Sequence, residues 1–124
     1  MLLITGGAGF IGSNIVNYLV KRGEDVVSVD WHNRLNNKYF QNFNFKTINP
    51  LSLQTFLKKN KKRISVIIHL GAITSTTERN LNLIIDNNIR LSLMLYKWCV
   101  KNEKRLIYAS SAATYGSGEN GFND

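Results

Sequence analysis

The chain has 124 residues, 44% of them apolar and 19% charged, with one Pro and one Cys; this accommodates one domain at most and excludes a disordered or collagen-like chain. A single cysteine, Cys99, excludes an internal disulfide and any cysteine-based metal site; no apolar run approaches the roughly 18 residues that cross a bilayer, and residues 1–4 run into glycines without a basic leader, so a cytoplasmic location is expected. Sixteen Lys and Arg against eight Asp and Glu leave a net charge of +8, which favours anionic partners, phosphorylated small molecules among them.

Short β-branched runs alternate with helical periodicity along the chain. Residues 1–5 read as an apolar strand. Over residues 10–22, Ile11, Ile15, Tyr18 and Leu19 recur at spacings of four and three and predict one apolar helix face, with Gly23 as the stop. Residues 25–30 and 43–48 read as strands two and three. A helix over 51–59 follows Pro50, with Leu53, Phe56 and Leu57 on one side. The run ISVIIHL over 64–70 suits a parallel strand covered on both faces. A long helix over about 80–102 and a fifth strand over 105–110 complete the pattern. The basic run from Lys58 to Arg63 carries no interleaved aromatic residue; it reads as a solvated helix end and turn rather than a nucleic-acid surface. Neither a nucleic-acid nor a membrane partner is expected.

Such alternation predicts an α/β Rossmann-type, doubly wound parallel sheet of about five strands in the order 3-2-1-4-5, with ligands beyond the carboxyl ends of the strands where the order reverses. The polar clusters fall at those strand ends. After strand one, TGGAGFIG satisfies G-x-G-x-x-G at Gly7, Gly9 and Gly12 and the wider G-x-x-G-x-x-G at Gly6, Gly9 and Gly12. Glycines there permit a sharp turn, a close phosphate approach and tight helix packing, and the helix N-terminus offers unpaired N–H groups to a pyrophosphate. Asp30 closes strand two, 18 residues past Gly12, where a carboxylate would accept the ribose hydroxyls of NAD; Arg34 and Lys38 follow and would neutralise the 2′-phosphate of NADP. Trp31 is placed either to stack on an adenine or to pack beneath its loop.

Strand four ends in His69-Leu70-Gly71-Ala72, then Ile73 and the hydroxyl-rich Thr74–Thr77 with Glu78. Gly71 and Ala72 are small enough for backbone to approach a nicotinamide or its ribose. The hydroxyls and Glu78 serve equally as a helix cap. His69 reads as a satisfied core histidine, and no His/Asp/Glu spacing suggests a metal site. Asp86-Asn87-Asn88 interrupts an apolar helix face, so at least one asparagine is expected to bond a loop backbone or a cofactor, since a buried amide left unpaired costs about 1–3 kcal/mol. Strand five leads into ASSAATYG. A serine there would meet a substrate alcohol or ketone, or else satisfy its own loop.

With these motifs in view the chain resembles the amino-terminal part of an extended short-chain dehydrogenase/reductase of the NAD-dependent epimerase/dehydratase type. The narrower resemblance is to the branch that epimerises ADP-heptoses, carried by TSTTE (74–78), DNN (86–88) and YASSAATYG (108–116). The resemblance implies Gly6, Gly9, Phe10, Ile11 and Gly12 around the pyrophosphate, Asp30 and Trp31 at the adenosine ribose, and Lys38 at the 2′-phosphate. It further implies Leu70, Gly71, Ala72, Ile73 and Thr74 beside the nicotinamide ribose, Asn87 on that loop or the cofactor, and Ser111 as the catalytic hydroxyl. NADP is the implied cofactor, with NAD possible, an ADP-heptose the implied nucleotide-sugar substrate, and a homo-oligomer the implied full-length state. The family's tyrosine base has Lys four residues on; none of Tyr18, Tyr39, Tyr96, Tyr108 or Tyr115 does, and Tyr18 comes nearest with Arg22. Residues 1–124 therefore read as a partial dinucleotide-binding domain, incomplete at its carboxyl end and without the substrate domain, expected to bind cofactor and to be chemically silent alone. The alternatives are a UDP-hexose 4-epimerase, a nucleotide-sugar 4,6-dehydratase, or a non-catalytic dinucleotide-binding module.

Overall fold

A computed structural model describes residues 1–31, 45–119 and 121. Strands β1 (Leu2–Thr5), β2 (Val26–Val29), β3 (Lys46–Ile48), β4 (Val66–His69) and β5 (Arg105–Tyr108) form one parallel sheet in the order β3-β2-β1-β4-β5. The register aligns Leu3 with Val27 on one side and with Ile67 on the other. Pairing extends one residue past the strands towards their carboxyl ends: Gly6 N donates to Val29 O, Leu70 N to Thr5 O and Ala109 N to His69 O. The order reverses between β1 and β4, which opens a crevice there.

Alternating strand residues feed two cores, as the two-residue period of a strand requires. Leu3, Val27, Val29, Ile48 and Ile67 pack beneath Leu53, Phe56 and Leu57 of helix α2 (Leu53–Lys59) and beneath Leu95 and Cys99. Ile4 and Val26 pack beneath Val16 of helix α1 (Phe10–Lys21). Before α2, Pro50–Ser52 form a 3₁₀ turn in which Asn49 Oδ1 accepts from Leu51 N, so the helix begins two residues later than its periodicity suggests.

Helix α1 is rotated from its expected face. Gly12, Ser13 and Val16 are the buried residues, whereas Ile11 and Tyr18 are mostly exposed and Ile15 and Leu19 half-buried. The reason is steric: a Cβ on Gly12 would stand 2.1 Å from Gly6 O. The helix therefore rests on the glycine turn through its smallest side chains, and the bulky neighbours turn outward. Gly23 ends it at φ +78°, a left-handed conformation suited to glycine.

The long helix forms in three pieces: α3 (Leu81–Ile84), a π-helical turn (Ile85–Arg90) and α4 (Leu91–Lys101). Its N-cap is Asn80, whose side chain accepts from Leu83 N; Glu78 Oε1 accepts from Asn80 N, so the hydroxyl run of residues 74–77 remains loop and is not the cap. The DNN motif lies inside the π-turn, a local unwinding that recurs at functional sites.

Ile67 is fully buried in the larger core, so Ile67→Ala is expected to lower stability by about 2–5 kcal/mol in urea unfolding. The exposed Val100→Ala should change it by no more than about 0.5 kcal/mol.

Candidate functional site

Beyond the carboxyl ends of β1, β2, β4 and β5 lies a cavity of about 720 Å³. Its walls are the glycine turn (Gly6, Gly9, Phe10, Ile11, Gly12), the β2 end (Asp30, Trp31), the β4 loop (Leu70, Gly71, Ala72, Ile73, Thr74), the π-turn (Asn87, Asn88) and the β5 loop (Ser110, Ser111). Every expected site residue within the described part of the chain lies on this wall. Lys38, His32 and Arg34 lie outside the described residues.

The glycine turn is shaped by contacts that only hydrogen permits. Gly6 has φ +71°, and a Cβ there would stand 2.7 Å from Gly71 N, so the turn and the β4 loop meet backbone to backbone. Over Gly9 a Cβ would find nothing nearer than Gly6 O, leaving its outer side open. Helix α1 starts at Gly9 with no side-chain cap and no acidic residue in its first turn. The N–H groups of Phe10, Ile11 and Gly12 thus lack an intrahelical acceptor, and the positive end of the helix dipole faces the cavity with no acidic residue in the first turn of the helix. That is a preformed anion site.

Asp30 is buried and ties this turn to the sheet: its Oδ2 accepts from Ala8 N at 2.8 Å and its Oδ1 from Trp31 N at 2.8 Å. Each carboxylate oxygen keeps further acceptor capacity, so holding the turn and accepting a ribose hydroxyl are compatible roles. Trp31 is 40% exposed and lines the cavity.

On the opposite wall, the expected loop contact comes from Asn88 rather than Asn87. Asn88 Oδ1 accepts from Ile73 N (2.7 Å) and its Nδ2 donates to Ile73 O (2.9 Å), which pairs it with the loop as a neighbouring strand would. Asn87 lies on the cavity wall and donates to Leu83 O within its own helix. Ser111 Oγ accepts from Ala113 N at 3.2 Å and caps the 3₁₀ turn Ala112–Tyr115, so its proton is left for another partner. The nearest approach to a tyrosine–cation pair, Tyr18 with Arg22, lies outside this cavity on α1, with Arg22 over the tyrosine ring. The basic run closes α2 with Lys58 and Lys59, and Arg63 pairs with Asp25 at the amino-terminal end of β2, away from the cavity. Among the described residues no group of three or more His, Cys, Asp or Glu is placed to hold a metal ion.

Further residues also reach the cavity: Thr5 and Tyr108, which open the TGGAGFIG and YASSAATYG motifs, and Leu91 and Ser92, which lie outside any motif. Thr5 and Ser92 bracket the buried His69. Thr5 Oγ1 lies 2.6 Å from His69 Nδ1, and Ser92 Oγ lies 2.9 Å from His69 Nε2. Burial holds the imidazole below its ordinary pKa. From β1 it faces Thr5, from α4 Ser92, and from β5 the Tyr108 ring at 5.7 Å; no carboxylate among the described residues bonds it. A base whose folded-state pKa is depressed adds stability that is complete above its unfolded pKa and is lost as pH falls towards the folded value. The midpoint of thermal unfolding should therefore fall on acidification below about pH 6.5, and His69→Gln should remove that part of the fall.

The chain matches the model of the NAD dependent epimerase/dehydratase family over residues 2–124. It is 40% identical, over its whole length, to an ADP-L-glycero-D-manno-heptose-6-epimerase of Nitratidesulfovibrio vulgaris, and 38% identical to that of Fusobacterium nucleatum. It covers 40% and 39% of those two proteins, so the chain spans about two-fifths of the length of the curated relatives it matches. The crystal structure of the Helicobacter pylori ADP-L-glycero-D-manno-heptose-6-epimerase superposes with a TM-score of 0.74 at 32% identity, over 93% of this chain and 40% of that one. A UDP-glucuronic acid 4-epimerase of Bacillus cereus, solved with NAD, gives 0.73 at 28% identity, over 94% and 41%. On the glycine turn, the strand order and this match, the chain belongs to the NAD dependent epimerase/dehydratase family.

Proposed function

We propose that this chain is the dinucleotide-binding part of a cytoplasmic, homo-oligomeric nucleotide-sugar epimerase that acts on an ADP-heptose with NADP, or NAD, as its recycled cofactor. The observation that carries the reading is the uncapped N-terminus of α1, framed by glycines that a Cβ would obstruct and free of any acid in its first turn. The residues present fit a dinucleotide: an anion site at the centre of the cavity, a carboxylate and an indole at one end, and a small-residue loop at the other. The narrower assignment to ADP-heptoses rests on the two relatives that are 40% and 38% identical and on the TSTTE and YASSAATYG motifs.

In this reading the N–H groups of Phe10, Ile11 and Gly12 hold the pyrophosphate, and Asp30 receives a ribose hydroxyl while keeping Ala8 in place. Trp31 flanks the adenosine end, with Lys38 as the partner of a 2′-phosphate. Leu70, Gly71, Ala72, Ile73 and Thr74 form the ledge at the nicotinamide end, with Asn88 clasping Ile73 from behind and Asn87 beside it. The cofactor, when bound, supplies a reversible hydride acceptor for C6″ of the heptose. Ser111 Oγ–H points its unassigned proton to the substrate oxygen, orienting it and offsetting developing negative charge. The tyrosine base and the substrate-binding domain belong, on this proposal, to sequence beyond these 124 residues.

Calorimetric titration with NAD and NADP at pH 8 is the direct test, with binding expected for at least one. Gly12→Ala has ordinary helical backbone available but places its Cβ on Gly6 O; it should weaken binding by roughly 30-fold or more, given about 1.4 kcal/mol per decade. Wild-type protein that binds neither cofactor, or Gly12→Ala that binds as tightly as wild type, defeats the reading. In full-length protein, conversion of an ADP-heptose but not of a UDP-hexose is expected, and Ser111→Ala should lower kcat by about 10²–10³-fold.

A further inference from the structure

The bonds around His69 close into a ring whose direction can be worked out. Asn88 O is a carbonyl and can only accept, so Ser92 Oγ, 2.9 Å away, spends its single proton there. Ser92 Oγ must then accept from His69 Nε2–H. The neutral imidazole carries one proton, so Nδ1 is bare and takes the hydroxyl proton of Thr5. Thr5 Oγ1 in turn accepts from Gly71 N at 3.1 Å. Asn88 clasps Ile73 through both ends of its amide, and the chain from Ile73 back to Gly71 completes the circuit. Each hydroxyl and ring donor is used once, and one tautomer satisfies every atom.

The ring encloses residues 71–73, the ledge at the nicotinamide end, and joins it to the α4 side of the π-turn. Burying polar groups at this position gains nothing for the core that apolar residues would not supply. What it supplies is a fixed distance between the β4 loop and the helix behind it.

We propose that His69, acting through Ser92, is a positioning residue that sets the ledge for the nicotinamide half of the cofactor, leaving the adenosine and pyrophosphate contacts to the glycine turn and Asp30. This rests on the dinucleotide reading above. Its signature is selective: loss of the His69–Ser92 link should weaken NAD, which needs both ends of the cavity, and spare ADP, which needs only one.

The test is calorimetric titration of wild type, Ser92→Ala, Ser92→Thr and His69→Phe with NAD and with ADP at pH 8. Ser92→Ala replaces a helical serine by the best helix former, so the fold is retained, as circular dichroism would verify. Its NAD affinity should fall roughly fivefold to 30-fold, because a ledge no longer tied to its helix must be ordered on binding, while ADP affinity changes less than about twofold. Ser92→Thr restores the hydroxyl and should recover at least half of the NAD loss in logarithmic terms; His69→Phe, if it folds, should reproduce Ser92→Ala. Unchanged NAD affinity in Ser92→Ala, parallel losses of NAD and ADP, or no recovery in Ser92→Thr would overturn the proposal while leaving cofactor binding intact. Wild-type protein that binds ADP and NAD equally well, or neither, would remove the dinucleotide reading on which it rests.

Discussion

The structure depends on a contact that only glycine allows: the turn after β1 lies against the β4 loop, Gly6 to Gly71, and under the first turn of α1, Gly12 to Gly6 O. Two consequences follow from that close approach. The helix begins so near the sheet that its first N–H groups open directly into the crevice between β1 and β4. The same nearness turns Gly12 and Ser13 inward and pushes Phe10 and Ile11 out, where they flank the anion site instead of joining the core. Fold and site are thus set by one steric condition, and Asp30 locks it by drawing Ala8 N onto the end of β2.

The cavity has two walls of different character. The wall at β1 and β2 is backbone: uncapped amides, glycines and one carboxylate already engaged with the turn. The wall at β4 and α4 is built from side chains, with Thr5, His69, Ser92 and Asn88 fastening a small-residue loop to a helix that unwinds by one π-turn to reach it. A backbone wall can hold an anion common to many ligands, whereas a side-chain wall fixes a shape. In the proposed reading the first wall holds the pyrophosphate and the second shapes the nicotinamide end.

Much of this was legible in the sequence because its signals are local. The strand runs, the glycine spacing and Asp30 at the end of β2 each follow from neighbouring residues, and together they locate the crevice. The errors arose where a distant contact decided the outcome. Periodicity alone put Ile11 and Tyr18 inward; the carbonyl of Gly6, invisible to periodicity, turned them out. The resemblance points to Asn87 for the loop or the cofactor; Asn87 lines the cavity, while its neighbour Asn88 makes the loop contact from inside the π-turn. Thr5 opens the TGGAGFIG motif and Ser92 belongs to none, and the part both play at His69 exists only once parallel pairing sets β1 beside β4 and α4 lies across His69. Ser111 Oγ accepts from Ala113 N, which satisfies its own loop as one of its two readings expects.

In the proposed reading the first-turn amides of α1 receive the pyrophosphate of a nicotinamide dinucleotide. At 14.1 kDa the chain suits amide-resolved NMR, and a ¹⁵N–¹H titration with NAD observes those groups one by one. The largest shifts are expected at the amides of Phe10, Ile11 and Gly12, saturating together with those of residues 71–73. Shifts centred instead on the basic turn at Lys58–Arg63, with the α1 amides unmoved, would contradict it.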